Sequence, residues 1–460
     1  MTKETADVVI CGAGIAGVAL AHQLAVRQGV RRVLLVDERP PLTLTSDKST
    51  EAYRNWWAGP DGAMLALMNR SIDLLEALAV DSGNAFHLNR RGYLYGTADP
   101  AHIAALRATG ARAEAQGAGP LRVHEAGGAG APYRPAAFAD YREQPDGADL
   151  ILDPALIRRH FPYLAGGTVA LLHARRCGWF SGQQLGMLLL ERAREEGMVL
   201  RRARLTGVGL AKGRVASVRL ATEGAEQEVA TGALVLAAGP MLRETAALLD
   251  VELPVYTELH LKIALRDVRG AVPREAPFLI WEDPQRLRWD RGTAAGLAAD
   301  PATRSLLAKL PPGVHCRPEG GAGSQTVLLL WSYDVQPVPV VLPFPVPPHS
   351  PELVLRGMAA MVPGLGAYLA RLPAVFVDGG YYTRTRENRP LCGPLPVPGA
   401  WVLGGLSGFG MMASQAAAEL VGAHVAGLPL PAYAPAFSLE RYADPGYRKR
   451  MEEGGGDGQI

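Results

Sequence analysis

The stretch Val8-Val9-Ile10-Cys11-Gly12-Ala13-Gly14-Ile15-Ala16-Gly17, followed by a helical run and then by Arg32-Val33-Leu34-Leu35-Val36-Asp37, constrains this chain more than any other feature. It reads as a βαβ dinucleotide-binding unit. An apolar strand enters a turn that needs glycine for its backbone angles and lets the main chain approach a pyrophosphate. Gly17 then allows the helix to pack closely on the strand, so that the phosphates sit on the helix N-terminus. Asp37 follows Gly17 by 20 residues, at the end of the second strand, where a carboxylate accepts hydrogen bonds from ribose hydroxyls.

Two later segments extend the ligand. Thr231 to Pro240 is a buried strand ending in the small residues Ala237-Ala238-Gly239, and Gly404 to Met412 is a second glycine-rich turn entering a long apolar helix. Two further sites of backbone approach imply a large, extended cofactor. A fingerprint so near the N-terminus also leaves nearly the whole chain to build around a ligand that stays bound. Both points favour FAD over NAD.

The N-terminal fingerprint, Thr45-Ser46-Asp47-Lys48-Ser49 opening a helix, Ala237-Ala238-Gly239-Pro240, the run Gly380-Tyr381-Tyr382-Thr383-Arg384-Thr385-Arg386-Glu387-Asn388-Arg389-Pro390, and Gly405 to Met411 together resemble the D-amino-acid oxidase and sarcosine oxidase superfamily of FAD enzymes. The resemblance implies an α/β chain: a Rossmann-like FAD-binding domain of the glutathione-reductase type, with an interleaved α+β substrate domain built on an antiparallel sheet. Expected boundaries are 1–85, 150–250 and 365–460 for the FAD domain, and 86–149 and 251–364 for the substrate domain. The expected cofactor contacts are Gly12, Gly14, Ile15, Ala16, Gly17, Asp37, Glu38, Arg39, Thr45, Ser46, Ser49, Val208, Ala237, Ala238, Gly239, Gly405, Ser407, Gly408, Phe409, Gly410 and Met411.

The periodicity gives the remaining elements. Helices are expected over Gly62 to Ala79, Pro100 to Gln116, Ser181 to Gly197 and Ser407 to Ala426, and strands over Phe86 to Tyr95, Val199 to Leu210 and Arg214 to Leu220, with Gly213 at a hairpin. Gly117 to Gly147 reads as a long loop, the Pro-rich Val335 to Pro348 cannot be a central strand, and 452–460 reads as a disordered tail. The apolar helix near the C-terminus carries Glu419 and His424 and falls short of the roughly 20 uninterrupted apolar residues of a membrane span.

Net charge is only +2, so the balance suggests neither nucleic acid nor an anionic membrane as partner. The four cysteines, Cys11, Cys177, Cys316 and Cys392, form no CxxC pair, which indicates no metal site and a reducing compartment. Met1 to Thr5 leads straight into a strand, leaving no room for a signal peptide. A cytoplasmic location is expected.

In the family resembled, hydride passes from the carbon beside nitrogen to the flavin, so the protein positions substrate and excludes water. A planar guanidinium is the natural partner of a substrate carboxylate. By the resemblance that group is Arg54, the competing reading being a surface arginine at a helix end. Two departures leave the clamp incomplete: Met412 stands where sarcosine-oxidase-like members have a lysine, and Tyr382 stands about where glycine and D-amino-acid oxidases place an arginine. Arg384 and Arg386 are the next cations to consider.

Strand alternation puts Glu258, His260 and Lys262 on one face and Leu259, Leu261 and Ile263 on the other. If the first face lines the cavity, His260 or Lys262 supplies positive charge near the flavin; if not, it is a solvated face. The oxygen-activating lysine of sarcosine oxidases aligns near Leu328 to Trp331, where this chain has no lysine. The resemblance places the aromatic residues Trp56, Trp57, Trp331, Tyr333, Tyr381 and Tyr382 near the flavin ring. It also puts Gly380 where sarcosine oxidases carry a flavin-bonding cysteine, and no histidine lies between His22 and His87, so FAD is expected to be noncovalent.

These readings converge on an FAD-dependent oxidoreductase oxidising a C–N bond of a small secondary amine or amino acid, with oxygen or another electron-transfer acceptor. A flavin dehydrogenase of a 2-hydroxy acid and a non-enzymatic FAD-bound scaffold remain open.

Overall fold

The computed structural model describes residues 4–57, 59–128, 130–138 and 140–452. The dinucleotide-binding unit is formed as the sequence predicts. The strands Val8–Cys11 and Val33–Asp37 lie side by side and parallel within a six-stranded sheet, ordered 199–202, 33–37, 8–11, 234–236, 400–404, 391–394. The first five are parallel and the last pairs antiparallel. Every residue of Val8–Cys11 is buried, as a strand covered on both faces requires. One face packs on the helices Ile15–His22, Gly182–Glu195 and Gly410–Ala426, the other on the three-stranded meander 204–211, 214–222, 225–230.

Close approach explains the glycines. At Gly12 the backbone has φ +110°, and a Cβ there would lie 2.4 Å from the carbonyl oxygen of Ala237. At Gly17 a Cβ would lie 1.8 Å from the Gly12 oxygen. Neither contact is tolerable, so these two positions fix how the first helix crosses the strand ends.

A second, nine-stranded sheet forms the other half of the molecule, ordered 376–384, 256–266, 326–330, 314–318, 278–281, 93–97, 170–174, 148–151, 121–124. Pairing is antiparallel except between 278–281 and 93–97 and between 121–124 and 148–151. Its strands alternate cleanly. Leu94, Leu279, Cys316, Leu329, Trp331 and Ile263 face a core closed by the helix Ser350–Met358, while Tyr93 and Phe278 face the dinucleotide-binding half. Each fully buried Leu or Ile of that core contributes about 1.5–3 kcal/mol.

Several elements differ from the sequence expectation. The run expected as one strand over Val199 to Leu210 is two, Val199–Arg202 in the six-stranded sheet and Arg204–Ala211 in the meander. The chain changes sheet at Ala203, whose N–H donates to Asp37 O, and an unbroken period-2 pattern hides that change. Of the strand expected over Phe86 to Tyr95 only the end forms, as Tyr93–Thr97, because His87 and Gly92 take positive φ. The expected loop Gly117 to Gly147 contains the strand Leu121–His124. Strands 170–174 and 376–384 pair in the nine-stranded sheet although they fall within the FAD-domain boundaries expected above, and 148–151 straddles the boundary expected at 149/150.

The helix Pro445–Glu452 takes in the first residue of the expected disordered tail; 453–460 lie outside the described residues. Among the described residues no helix is long and apolar enough to cross a membrane, and no cluster of His, Cys, Asp or Glu is placed to hold a metal.

Candidate active site

Where the strand ends of the six-stranded sheet meet the nine-stranded sheet, a cavity of about 870 Å³, mouth included, runs along the first glycine turn. Gly12, Gly14, Ile15, Ala16, Asp37, Arg39, Thr45, Ser46, Ser49, Ala237, Ala238, Gly239, Gly405, Ser407, Gly408, Gly410 and Met411, all expected contacts, line it. Gly14 caps the first helix without a side chain. The Ile15 N–H donates to Ser46 Oγ at 2.9 Å, and the remaining N–H groups of the first turn are open to an anion. Asp37 accepts from the N–H groups of Ala13 (2.7 Å) and Arg39 (2.9 Å), fixing its carboxylate at the strand end. On the opposite wall the helix Gly410–Ala426 also begins without a side-chain cap. Thr383 adds a buried hydroxyl with no hydrogen-bond partner among the described residues. Two helix N-termini, an acid at the second strand and an orphaned hydroxyl fit a dinucleotide.

Four expected contacts fall outside this wall. Gly17 is inside the helix–strand contact described above, Glu38 is exposed and pairs with Arg39 at 3.9 Å, and Val208 packs in the meander core. Phe409 turns instead toward a second cavity.

That second cavity, about 500 Å³, adjoins the first at Tyr382 and Gly408, which line both. Its walls come from the nine-stranded sheet (Tyr93, Phe278, His315, Leu330), from Ser332, from the short strand Ala52–Arg54, and from Trp57, Phe409 and Met412. Arg54 is buried on that strand, not at the surface. Its guanidinium donates to the Tyr95 hydroxyl at 3.0 Å and lies 4.4 Å over the Trp57 ring, which meets Phe409 edge-on. Tyr382 is buried, and burial pushes its hydroxyl up to about 12.

The face bearing Glu258, His260 and Lys262 is not solvated, yet it reaches neither cavity. His260 stacks under Tyr382, ring centres 3.9 Å apart. Its Nε2 donates to Glu258 (3.2 Å), its Nδ1 lies 3.0 Å from Ser332 Oγ, and Glu258 in turn accepts from Arg384 at 2.7 Å. Burial holds the imidazole below its usual range against the opposing pull of Glu258, so the ring is neutral and the Ser332 hydroxyl donates to it. Lys262 donates to the carbonyls of Ser49 (2.8 Å) and Asp47 (3.3 Å). Arg317, from the neighbouring part of the sheet, donates to Thr50 O at 2.7 Å. These two cations therefore tie down the segment 47–50, which walls both cavities, while Arg317 also pairs with Glu51 and Glu319. Arg384 is engaged with Glu258, and Arg386 is exposed.

The aromatics divide. Trp57 and Tyr382 reach the second cavity and Tyr381 lines the first, its hydroxyl held by Val341. Trp56 is buried in the hydrophobic core and lines neither cavity, and Trp331 and Tyr333 pack on the far side of the nine-stranded sheet, Trp331 donating to Pro311 O. His315 is a cavity residue that the sequence reading missed. The signal was there in Val314-His315-Cys316-Arg317: polar residues at alternate positions of a strand whose other face is apolar.

The family model described as DAO, FAD dependent oxidoreductase, matches residues 7–424. Among solved structures, the fold is similar to that of L-proline dehydrogenase from P. horikoshii (TM-score 0.72, 17% identity, covering 96% of this chain and 98% of that one). It is also similar to glycine oxidase from Geobacillus kaustophilus (0.70, 17%, 95% and 98%) and to iminodiacetate oxidase from Chelativorans sp. BNC1 (0.69, 18%, 94% and 98%). Comparison with curated proteins finds no match. With a glycine turn, strand-end acid and paired helix N-termini that fit a dinucleotide, and a family model spanning nearly its whole length, this chain belongs to the DAO family of FAD-dependent oxidoreductases.

Proposed function

We propose that the enzyme oxidises a C–N bond of a small amine or amino acid bound in the 500 Å³ cavity, with Arg54 holding an acidic group of the substrate. The observation that carries this reading is the junction of the two cavities at Tyr382 and Gly408, with a buried guanidinium on the substrate side. FAD, held by Gly12 to Ala16, Asp37, Ser46 and the turn Gly405 to Met411, supplies a hydride acceptor for the carbon beside nitrogen.

The chain's own residues do the rest. Arg54 cannot lose its proton in a protein, and its planar fork matches a carboxylate. Trp57 and Tyr95 hold that fork in place, one by cation–π contact and one as acceptor. Tyr93, Phe278, Leu330, Phe409 and Met412 give apolar walls that exclude water and suit a substrate with an extended or aromatic group. Gly380 carries no thiol to bond the flavin, and a Cβ there would meet Lys48 Cβ at 3.0 Å and Thr45 Cα at 3.2 Å. We infer that FAD is held noncovalently.

The test is anaerobic bleaching of the bound flavin by a panel of secondary amines, amino acids and 2-hydroxy acids. Bleaching by amines carrying a carboxylate is the expected result. Bleaching by 2-hydroxy acids alone would overturn the reading, as would a flavin that no member of the panel reduces.

A further inference from the structure

Among the hydrogen-bonding groups of the second cavity that the reading above leaves without a task, His315 is the one whose tautomer the structure fixes. His315 lies on the strand Val314–Pro318, paired with Ile280 on one side and Leu330 on the other, and its ring tilts against Phe278 at 5.2 Å. Its Nδ1 is 2.8 Å from the carbonyl oxygen of Gly313. A carbonyl only accepts, so Nδ1 carries the proton and Nε2 presents a lone pair. Among the described residues no group donates to that Nε2, although the side chain is more than nine-tenths buried and lines the cavity with Arg54 and Tyr382. Nε2 belongs to a ring that lines the cavity, so its donor is expected to arrive with the ligand.

We propose that His315 Nε2 accepts a hydrogen bond from the substrate's own N–H, so that the site takes amines bearing at least one N–H and discriminates against tertiary amines. The assignment rests on the amine-oxidising reading above and sharpens it. The Gly313 contact fixes the tautomer, and burial, helped by the charge of Arg54, depresses the imidazole to about 4, keeping the lone pair available at neutral pH. With Arg54 taking the acidic group and His315 the nitrogen, the two polar ends of an amino acid meet two chemically different partners in one cavity. An N-alkylated nitrogen without hydrogen would put a methyl group against the lone pair and leave it desolvated. A site built to hydrogen-bond a substrate N–H rejects the analogue lacking it strongly, because the protein group is then left unpaired.

The experiment uses the FAD-loaded enzyme and matched pairs, N-benzylglycine with N-benzyl-N-methylglycine and pipecolate with N-methylpipecolate, with kcat/KM read by flavin reduction. Wild type is expected to prefer the N–H member by 100-fold or more. In His315→Phe the ratio should fall to within about tenfold, chiefly through slower reaction of the N–H member. In His315→Gln, whose carbonyl still accepts, part of the preference should return. Flavin content and melting temperature of each variant establish that it is folded. A folded, flavin-loaded His315→Phe enzyme with an undiminished ratio overturns the assignment, as does a wild type whose flavin both members of a pair reduce equally fast. Failure of the underlying amine reading looks different, since no amine would then bleach even the wild-type flavin.

Discussion

Replacing Lys262 by Met separates two roles for this cation, a direct one at the flavin and a mechanical one behind it. The ammonium lies 2.8 Å from Ser49 O and 3.3 Å from Asp47 O, in a segment whose Ser46 and Ser49 line the first cavity and whose Thr50 lines the second. A hydrogen bond to a charged group contributes about 1.5–3 kcal/mol, and the longer contact adds little. A total loss of about 2–3 kcal/mol follows. If the segment must be ordered only when cofactor is bound, that loss appears as a roughly 30- to 150-fold weaker FAD dissociation constant. Recovery of flavin fluorescence on dilution reports the dissociation, and stopped-flow mixing of reduced enzyme with oxygen reports reoxidation. Lys262→Met should lose flavin on dilution while its remaining loaded fraction reoxidises within about threefold of wild type. A variant that keeps its flavin but reoxidises 100-fold more slowly would place the ammonium at the flavin and refute the argument.

Because Gly380 has no thiol to form a thioether, acid precipitation should release all the FAD into the supernatant; yellow colour retained by the washed pellet would contradict this. Arg54→Met should cut kcat/KM for carboxylate-bearing amines by about 10- to 150-fold, the value of one charge-assisted contact, and leave uncharged amines within about threefold; equal losses in steady-state assays of both classes would mean that Arg54 shapes the pocket without binding the acid. Burial lowers His22, His173 and His315 to about 4, 3 and 4, against about 6.5 in the unfolded chain. Their contribution is fully present above pH 6.5 and declines as pH falls toward 4, because the unfolded chain then binds up to three more protons. The slope approaches about 4 kcal/mol per pH unit. Urea midpoints unchanged between pH 7 and pH 5 would show that these rings are not buried neutral.

What the sequence revealed was whatever backbone chemistry dictates. Gly12 and Gly17 have positions that no other residue can fill, and Asp37 sits at a strand end whose distance from the turn is set by one helix and two strands. The same logic found the turn before Gly410, where Gly405 and Ser407 adopt positive φ. The substrate wall was harder to see because alternation shows that two faces exist without showing which one looks inward. Trp331 and Tyr333 were thus expected at the flavin and face the far core, while Leu330 and Ser332, one residue removed, line the cavity. His315 was missed because its task depends on the Gly313 carbonyl and on a cavity that forms only when two sheets meet. Lys262 was read as a charge near the flavin because nothing in its strand reveals the carbonyls of Asp47 and Ser49, more than 200 positions away in the chain.

Tyr93, Phe278, His315 and Leu330 occupy four adjacent strands of the nine-stranded sheet, each with its sequence neighbours turned to the opposite side. The wall behaves like a row of interchangeable tiles. One tile can be exchanged without rewriting the next, and none belongs to the glycine turns or the strand-end acid that serve the cofactor. Such a layout lets natural variation explore new substrates one strand at a time over an unchanged redox apparatus. Proteins named for proline, glycine and iminodiacetate share this fold with the chain at 17–18% identity. On the proposed reading, the glycine turns and the strand-end acid serve the cofactor, and the inward residues of a few strands face the substrate.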